Sequence, residues 1–295
     1  MDGGWDGAVD SMSRLKFLML VVALVTGRVV SAAPPALPQI INVSSYDPKE
    51  RQRKGRGYSE NDVTALRDNG AAGLIARAGK GGNLDTKCAA FIQSADRVGM
   101  LPGLYYRVQR HVDPVVQADQ FVNRAIALAR SRRWNASSLL LCGDYDGDLT
   151  LSAILRFMDR VEARTGVVPV AYLENSQQLK QQTRAADRAT RARLGRAPYW
   201  LALYSHESGA GPVFPAPGSP EGLVAQYRLW SGWTMWQYGG VDWARGASRP
   251  KVYQHGRWQF SPWFGNLDRP VERSVFNGSV RQLAGFWQRH GLRLR

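Results

Sequence analysis

Two aspartates stand where an apolar segment ends, a position in which carboxylates can do chemistry. The segment Leu139–Gly143 is apolar and leads directly into Asp144, Tyr145 and Asp146. Residues two apart share one face of a β-strand, so the two carboxyl groups would lie together, with Cα atoms about 6.6 Å apart. Carboxyls this close can hold different pKa values, so that one is an acid while the other is a base. Hydrolysis of a glycosidic bond requires such a pair.

Two other interpretations of these aspartates remain open. They could cap the helix that begins near Leu151 and occupy the solvated turn before it. They could also form an Asp-rich Mg²⁺ or Ca²⁺ site, although the ligand spacing of an EF-hand loop is absent. The spacing alone does not decide between a turn, a metal site and an acid–base pair.

Aromatic side chains are the second chemical signal. Six of the ten tryptophans fall within 34 residues, from Trp230 to Trp263. Flat aromatic faces can stack on sugar rings or on nucleic-acid bases, and they also fill protein cores. The aromatic residues therefore indicate either a ligand groove or a large core.

Strands and helices alternate along the chain and would position these residues. Short apolar segments bounded by Gly, Pro or Asp predict buried strands at Gln39–Ser44, Ala72–Ala78, Leu101–Val108, Ser138–Asp146, Val167–Leu173, Tyr199–Tyr204 and Thr234–Tyr238. Amphipathic helices are predicted between them, and Val280–Arg295 is predicted to be another. Such alternation is typical of a parallel α/β fold, either a barrel or a doubly wound sheet. Residues 239–270, rich in Gly, Trp, Arg and Pro, are predicted to form long loops.

Composition limits the class of protein and of partner. The chain has 295 residues, 44% of them hydrophobic, which is enough for one sizeable core. Lys and Arg outnumber Asp and Glu by 39 to 24, giving a net charge of +15. This charge favours an anionic partner: nucleic acid, an acidic membrane surface or a polymer such as cell wall. Two cysteines cannot form a disulfide framework, and four histidines that do not cluster argue against a metal enzyme.

The N-terminal residues have the pattern of a secretory signal. Arg14 and Lys16 precede the apolar segment Phe17–Val25, which is far shorter than the roughly 20 residues that span a bilayer. Small residues at Val30–Ala32 fit signal-peptidase cleavage after Ala32. We therefore predict a signal peptide over residues 1–32, a linker over 33–38 and one exported domain over 39–295. An uncleaved membrane anchor is the alternative.

Taken together, these segments resemble the glycoside hydrolases of family 25, the Chalaropsis-type lysozymes that cleave peptidoglycan. The matches run in order over residues 40–279. Ile41–Tyr46 resembles the opening Asp-Val-Ser strand, Gly103–Tyr106 the Gly-x-Tyr-His strand, Asp144–Asp146 the Asp-x-Glu strand, and Pro169–Tyr172 the Pro-x-x-Tyr strand. Trp200–Tyr204 resembles Trp-Leu-Ala-x-Tyr, Trp236–Tyr238 resembles Trp-Gln-Tyr, and Val271–Gly278 resembles the closing Val-Asp-x-Asn. No single match is specific, but the ordered set is. The resemblance implies a flattened, incomplete (β/α) TIM-like barrel in a single domain, with its groove at the carboxyl ends of the strands.

The resemblance also implies the site residues. Asp144, Asp146, Glu272 and Asn42 are expected around the scissile bond. We expect Asp146 to be the general acid, Asp144 or the substrate's acetamido group to stabilise the oxocarbenium-like state, and Asn42 to position the substrate. The expected glycan-binding residues are aromatic: Tyr105, Tyr106, Tyr172, Tyr204, Trp236 and Tyr238.

Three of the four acidic positions of the family are changed here. Asp146 stands where the family has its catalytic Glu, Glu272 where an Asp is expected, and Asn42 where another Asp is expected. The shorter Asp146 side chain retracts its carboxyl by roughly 1.5 Å, and a misplacement of about 1 Å can cost on the order of 100-fold in rate. Asn42 removes a negative charge, which lowers the pKa of neighbouring carboxyls. These changes predict weak or altered activity.

Three hypotheses follow. The first is an exported peptidoglycan hydrolase of the muramidase type. The second is a catalytically inactive protein of the same fold that binds peptidoglycan or a related anionic glycan. The third, an exported nucleic-acid binder, has only the charge and the aromatic residues in its favour. We expect no cofactor, no metal, no membrane insertion after signal cleavage, and a monomer.

The two cysteines are predicted to remain free. In such a barrel, Cys88 lies on a helix face outside the strands, whereas Cys142 shares its orientation with Asp144 and points inside. This geometry disfavours a disulfide.

Overall fold

The computed structural model of the chain describes residues 37–47, 58–173, 176–203, 206–208, 211–213, 219–239, 241–242, 251–252 and 271–294. The strands in these ranges are β1 (Gln39–Val43), β2 (Ala71–Lys80), β3 (Asn83–Leu84), β4 (Leu101–Arg107), β5 (Ser138–Asp144), β6 (Val170–Leu173), β7 (Tyr199–Ala202), β8 (His206–Ser208), β9 (Gly211–Val213), β10 (Met235–Gly239), β11 (Val241–Asp242), β12 (Lys251–Val252), β13 (Glu272–Phe276) and β14 (Gly291–Arg293). The helices are α1 (Glu60–Asp68), α2 (Cys88–Arg97), α3 (Pro114–Arg130), α4 (Leu151–Thr165), α5 (Gln177–Ala185), α6 (Arg188–Gly195), α7 (Pro220–Ala225) and α8 (Val280–His290).

Eight of the strands form a closed barrel. They follow one another in the order β1-β13-β10-β7-β6-β5-β4-β2, and β2 pairs with β1 to close the ring. The predicted TIM-like barrel is therefore confirmed, and each of the seven predicted strands overlaps a barrel strand. The eighth, β13, runs antiparallel to both β1 and β10. It is missing from the predicted strands because only two of its five residues, Val275 and Phe276, are apolar.

Alternation along the barrel strands separates an inner core from an outer one. The inner core takes a buried residue from each of six strands in turn: Ile40, Ile75, Leu140, Val170, Trp200 and Met235. The outer core lies between the strands and the helices, and it includes Phe91, Phe121 and Phe157. Cys142 belongs to the inner core and Cys88 to the outer one, and both are free thiols, as predicted.

The helices that flank the site begin and end at sequence signals. Asp113 caps α3 through its side chain, and Pro114 occupies the first turn, where its missing N–H is not needed. Thr150 caps α4, which ends at Gly166 in the left-handed conformation with φ of 71°. Helix α4 follows the β5 segment directly, so its start fixes the turn that carries the acidic residues.

One end of the barrel is filled by α8 and β14. Trp287 of α8 is fully buried in the inner core and donates its Nε1–H to the Pro102 carbonyl at 2.7 Å. The helix ends at His290, and Gly291–Arg293 forms β14, which pairs antiparallel with Ser138–Leu140 of β5. The prediction of one helix up to Arg295 is thus wrong for its last turn. The chain instead bends into a strand because β5 offers an unpaired edge there.

The predicted signal peptide, residues 1–32, lies outside the described ranges. Within those ranges no helix has both the length and the apolar character needed to cross a membrane.

Candidate active site

A cavity of about 430 Å³ opens where the parallel barrel strands have their carboxyl ends. In parallel α/β folds this is the end at which ligands bind. All eight barrel strands, or the turns after them, contribute to its lining. The lining residues are Asn42, Ser44, Tyr46, Arg77, Lys80, Tyr105, Arg107, Asp144, Asp146, Tyr172, Trp200, Gln237 and Glu272. Six of the ten residues predicted for the site are among them, including all four predicted catalytic residues.

Strand register explains why residues distant in sequence meet here. Arg107 lies beside Asp144, Asp144 beside Tyr172, and Tyr172 beside Trp200, on four adjacent parallel strands. On the opposite side of the ring Asn42 is paired with Glu272. All of these positions have side chains on the inner face, because side chains alternate along a strand.

The turn after β5 brings both aspartates to the cavity. The ring of Tyr145 folds back over Gly143, at a position that any Cβ there would occupy. Gly147 and Asp148 then adopt positive φ values of 105° and 52°, which turn the chain away toward α4. As a result, Asp144 and Asp146 line the cavity together, and the backbone N–H of Asp146 donates to Asp144 Oδ1 at 3.1 Å.

The two aspartates have different surroundings. Arg107 Nη2 donates to Asp146 Oδ2 at 3.0 Å, so Asp146 has a cationic partner. Asp144 is buried, with 8% of its surface exposed. Burial raises the pKa of Asp144 to about 7; the guanidinium of Arg107 opposes this rise, whereas the carboxylates of Asp146 and Glu272 add to it. Asp144 is therefore the carboxyl that can carry a proton near neutral pH.

A buried relay fixes the orientation of Asn42. The indole Nε1–H of Trp200 donates to Ser274 Oγ at 3.1 Å, and Ser274 Oγ donates to Asn42 Oδ1 at 3.0 Å. Indole can only donate, so the single hydroxyl proton of Ser274 is left for Asn42. The Asn42 amide oxygen is thereby occupied, and its buried Nδ2 has no hydrogen-bond partner within the described residues. Asn42 thus presents an unused donor at a position where an aspartate would present an acceptor.

A second relay orients Glu272. The Tyr172 hydroxyl donates to Gln237 Oε1 at 2.5 Å, and Gln237 Nε2 donates to Glu272 Oε2 at 3.3 Å. The tyrosine therefore fixes which end of the Gln237 amide faces the carboxylate. Burial raises the pKa of the nearby Tyr105 phenol well above its ordinary value, and Glu272 adds to this effect, so Tyr105 stays neutral.

Three of the aromatic residues predicted to bind the glycan lie in the outer core and not in the cavity lining. Tyr106 is fully buried in the outer core, where its hydroxyl donates to Gln120 and accepts from the Gly82 N–H. Trp236 and Tyr238 are likewise buried in that core. The physical reason is alternation: the inward residues are their neighbours Tyr105 and Gln237. Tyr204 lies outside the described residues.

The lining also contains seven residues that were not among those predicted for the site, four of them within the matched segments: Ser44, Tyr46, Arg77, Lys80, Arg107, Trp200 and Gln237. Arg77 and Arg107 occupy inward positions of β2 and β4, and their alternation with buried apolar residues is the signal that could have revealed them. Among the described residues, three basic and three acidic side chains therefore line the cavity. Within the described ranges, no cluster of three His, Cys, Asp or Glu residues could hold a metal ion.

Comparison with known proteins gives one family match. The profile described as Glycosyl hydrolases family 25 matches residues 44–247. No curated protein matches the chain by sequence.

Solved structures with a similar fold include three from different sources. A bacterial lysozyme from Streptomyces coelicolor has a TM-score of 0.55 at 19% identity, over 86% of this chain and 98% of that one. A family 25 lysozyme from Aspergillus fumigatus has a TM-score of 0.53 at 17% identity, over 85% of this chain and 99% of that one. The catalytic domain of an endolysin from a bacteriophage of Listeria monocytogenes has a TM-score of 0.53 at 16% identity, over 86% of this chain and 100% of that one. At these identities the likeness concerns the fold.

Proposed function

Because the chain belongs to the glycosyl hydrolases of family 25, we propose that it is a peptidoglycan hydrolase of the muramidase type. The observation that carries the proposal is the cavity at the barrel mouth, where Asp144, Asp146 and Glu272 meet. It holds one carboxyl with a pKa of about 7 and one paired with arginine. Two carboxyls with different protonation states are what hydrolysis of a glycosidic bond needs.

The contacts favour a division of roles that differs from the one expected from the family motif. A general acid must be protonated at working pH, and its pKa should lie near that pH. Asp144 meets this requirement because burial raises its pKa to about 7. Asp146 instead accepts a hydrogen bond from the Arg107 guanidinium at 3.0 Å, so one of its carboxyl oxygens is already engaged. We therefore assign the proton donor to Asp144 and the charge-stabilising carboxyl to Asp146.

The proposed reaction follows from these assignments. Asp144 transfers its proton to the glycosidic oxygen as the bond to the anomeric carbon breaks, and the leaving sugar departs with a free hydroxyl. The positive charge that develops on the remaining ring is stabilised by Asp146 or by the substrate's acetamido group. Water then attacks the anomeric carbon, its hydroxyl forms the new bond there, and its remaining proton returns to the Asp144 carboxylate. Asn42 Nδ2 donates to an acceptor oxygen of the bound sugar and so holds the ring in place.

Activity is expected to be weak compared with an enzyme that has the full family motif. Asp146 is one methylene shorter than the glutamate of the motif, and Arg107 holds its carboxylate. A carboxylate displaced by about 1 Å can lower the rate on the order of 100-fold.

The test is release of soluble fragments from purified peptidoglycan by the chain that begins at residue 33. We expect release by the wild type, and release slower by about 100-fold or more from Asp144→Asn and from Asp146→Asn. Asp148→Asn is the matched control, because Asp148 is an exposed residue outside the cavity lining. Release that is unchanged in both Asp144→Asn and Asp146→Asn would contradict the proposed site.

A catalytically inactive glycan-binding protein is the second candidate, and the three changed acidic positions favour it. In that case no variant releases fragments, while the wild type still sediments with peptidoglycan. Asn42→Asp, Asp146→Glu and Glu272→Asp together should then restore hydrolysis.

Export is part of the proposal and rests on the N-terminal sequence pattern alone. Peptide sequencing of the mature N-terminus after expression in a secreting host should give Ala33 as the first residue. A first residue before Phe17 would contradict cleavage.

A further inference from the structure

A second cavity, of about 410 Å³, adjoins the first. The two share three lining residues: Tyr46, Arg77 and Lys80. The second continues past them to the β2–β3 hairpin, where Asn83 and Leu84 are exposed. A groove therefore runs from the acidic centre outward along one side of the barrel mouth.

The turn that carries Tyr46 is held rigidly. Ser44 N–H donates to Asp47 Oδ2 at 2.7 Å, and Ser45 N–H donates to Asp85 Oδ2 at 2.8 Å. Lys87 Nζ also donates to the Asp47 carbonyl at 2.8 Å. These bonds fix the turn against the segment between β3 and α2. A rigid turn can present a side chain to a ligand at little entropic cost.

Tyr46 forms a flat surface in this groove. Half of the residue is exposed, which is uncommon for a large apolar side chain in the described ranges. The guanidinium of Arg77 lies 5.0 Å from the centre of the Tyr46 ring and steadies it. Arg77 is in turn bonded through Nε to Asp85 Oδ2 at 2.9 Å. The ring is thus supported by Arg77, and its exposed half can contact a flat ligand such as a sugar.

Among the described lining residues, the net charge of the second cavity comes from Lys80. Arg77 and Asp85 neutralise each other in a buried pair. Lys80 is half-buried, and none of the described acidic side chains forms an ion pair with it. The β2–β3 hairpin that follows Lys80 is held by the Gly82 N–H, which donates to the Tyr106 hydroxyl at 2.9 Å. An ammonium group on a fixed hairpin, beside a flat aromatic ring, suits a sugar that carries an anionic group.

We propose that the second cavity binds a neighbouring sugar of the same glycan strand, with Tyr46 under the ring and Lys80 on a carboxylate. This rests on the proposed function, since it extends the same groove. The carboxylate could be an acid attached to the sugar by an ether bond, or it could belong to a peptide attached to the sugar. Both have the chemistry that Lys80 recognises.

The test is binding of soluble glycan strands, measured by tryptophan fluorescence. Every protein carries Asp144→Asn, so that strands are not cut during the titration. Four strand preparations are compared: with their peptides or after peptide removal, and each with its carboxylates free or amidated. We expect amidation to weaken binding about fivefold. The preparation in which this occurs identifies the source of the carboxylate.

Variants of Lys80 assign the effect to this residue. Lys80→Gln should abolish the difference between free and amidated strands, and Lys80→Arg should keep it. Arg188→Gln is the matched control, because it removes the same charge from an exposed site on α6 away from both cavities. Tyr46→Ala should weaken binding of all four preparations about fivefold. A Lys80→Gln protein that still distinguishes free from amidated strands, or a wild-type site that never does, overturns the proposal.

The binding test and the test of hydrolysis can fail separately. If the chain without Asp144→Asn releases no fragments but strand binding depends on Lys80 as described, the proposed catalysis fails and this binding site stands. If fragments are released but binding is indifferent to Lys80, the reverse holds.

Discussion

The guanidinium of Arg107 and the carboxylate of Asp146 lie 3.0 Å apart, with about a third of each side chain exposed to the cavity. The two aspartates of the turn therefore have different surroundings. Asp146 has a cation beside it, whereas Asp144 is buried and its pKa is raised to about 7. The acidic centre is therefore asymmetric, although both residues come from the same turn.

The pH dependence of hydrolysis should report Asp144. Because the proposed acid must be protonated, kcat should fall as the pH rises through about 7. Arg107 lowers the pKa of Asp144, so Arg107→Met should move this limb of the profile to higher pH, by about one pH unit. It should also lower kcat, since Asp146 loses its partner. The measurement is kcat for fragment release between pH 4 and 9.

Arg110→Met serves as the control for this profile. Arg110 is an exposed residue near the same turn and lies outside the cavity lining. Its variant should keep the wild-type pH profile. If kcat of Arg107→Met falls at the same pH as kcat of the wild type, Asp144 is not the group being titrated.

The roles of the two aspartates should separate on substrates with different leaving groups. A glycoside whose leaving group is an acidic phenol needs no proton from the enzyme. Asp144→Asn should therefore lose about 100-fold or more in kcat on the natural glycan, but much less on the phenyl glycoside. Asp146→Asn should lose similarly on both substrates. If instead Asp146→Asn loses much less activity on the phenyl glycoside and Asp144→Asn loses similarly on both substrates, Asp146 is the general acid.

The pH dependence of folding stability should also reflect the raised pKa of Asp144. Its pKa is higher in the folded protein, at about 7, than the ordinary value of 3.8. Between these values the folded state binds the proton more tightly than the unfolded chain, so Asp144 makes stability decline as the pH rises. Asp144→Asn removes this term. The free energy of unfolding of Asp144→Asn, taken relative to that of the wild type, should rise by on the order of 2 kcal/mol from pH 5 to pH 8.

Urea unfolding of both proteins at the two pH values measures this difference. Asp148→Asn, at an exposed position, should show no such change with pH. An equal effect of Asp144→Asn at pH 5 and pH 8 would mean that Asp144 titrates normally in the folded protein.

The Trp200–Ser274–Asn42 relay should matter for both stability and binding. Ser274→Ala leaves the Trp200 N–H and the Asn42 oxygen without their partner in a fully buried place. We expect a loss of about 2 kcal/mol in the free energy of unfolding. Glycan affinity should also fall, because the Asn42 amide is free to turn over. Ser152→Ala, on the exposed face of α4, should change neither quantity.

The barrel could be predicted because parallel strands that are buried on both faces consist of short apolar segments, which can be recognised in the sequence. Orientation could be predicted where it follows from alternation: Cys142 and Asp144 do share the inner face. β13 could not be found by this signal, because its inward residues Glu272 and Ser274 are polar and serve the cavity and the Asn42 relay.

The aromatic part of the site was harder to predict for a related reason. A run of adjacent aromatic residues on a strand must divide between the two faces, and composition does not say which residue goes in. Tyr106 and Tyr238 go outward, and the inward place beside Tyr238 belongs to Gln237. The ion pairs of Arg77 and Arg107 depend on contacts between β2, β4 and their neighbouring turns, and no local pattern encodes such contacts.

The pairing of Asn42 with Glu272 has a consequence for biosynthesis. These residues face each other across the seam where β13 meets β1, and some 230 positions of chain lie between them. Ring closure is thus a contact of very long sequence separation, the kind of contact that slows folding. A nascent chain that ends before residue 272 has neither the closing strand nor one wall of the cavity. An unfinished chain therefore lacks the complete cavity that the proposed hydrolysis requires, and the acidic cluster is assembled only when the ring is closed.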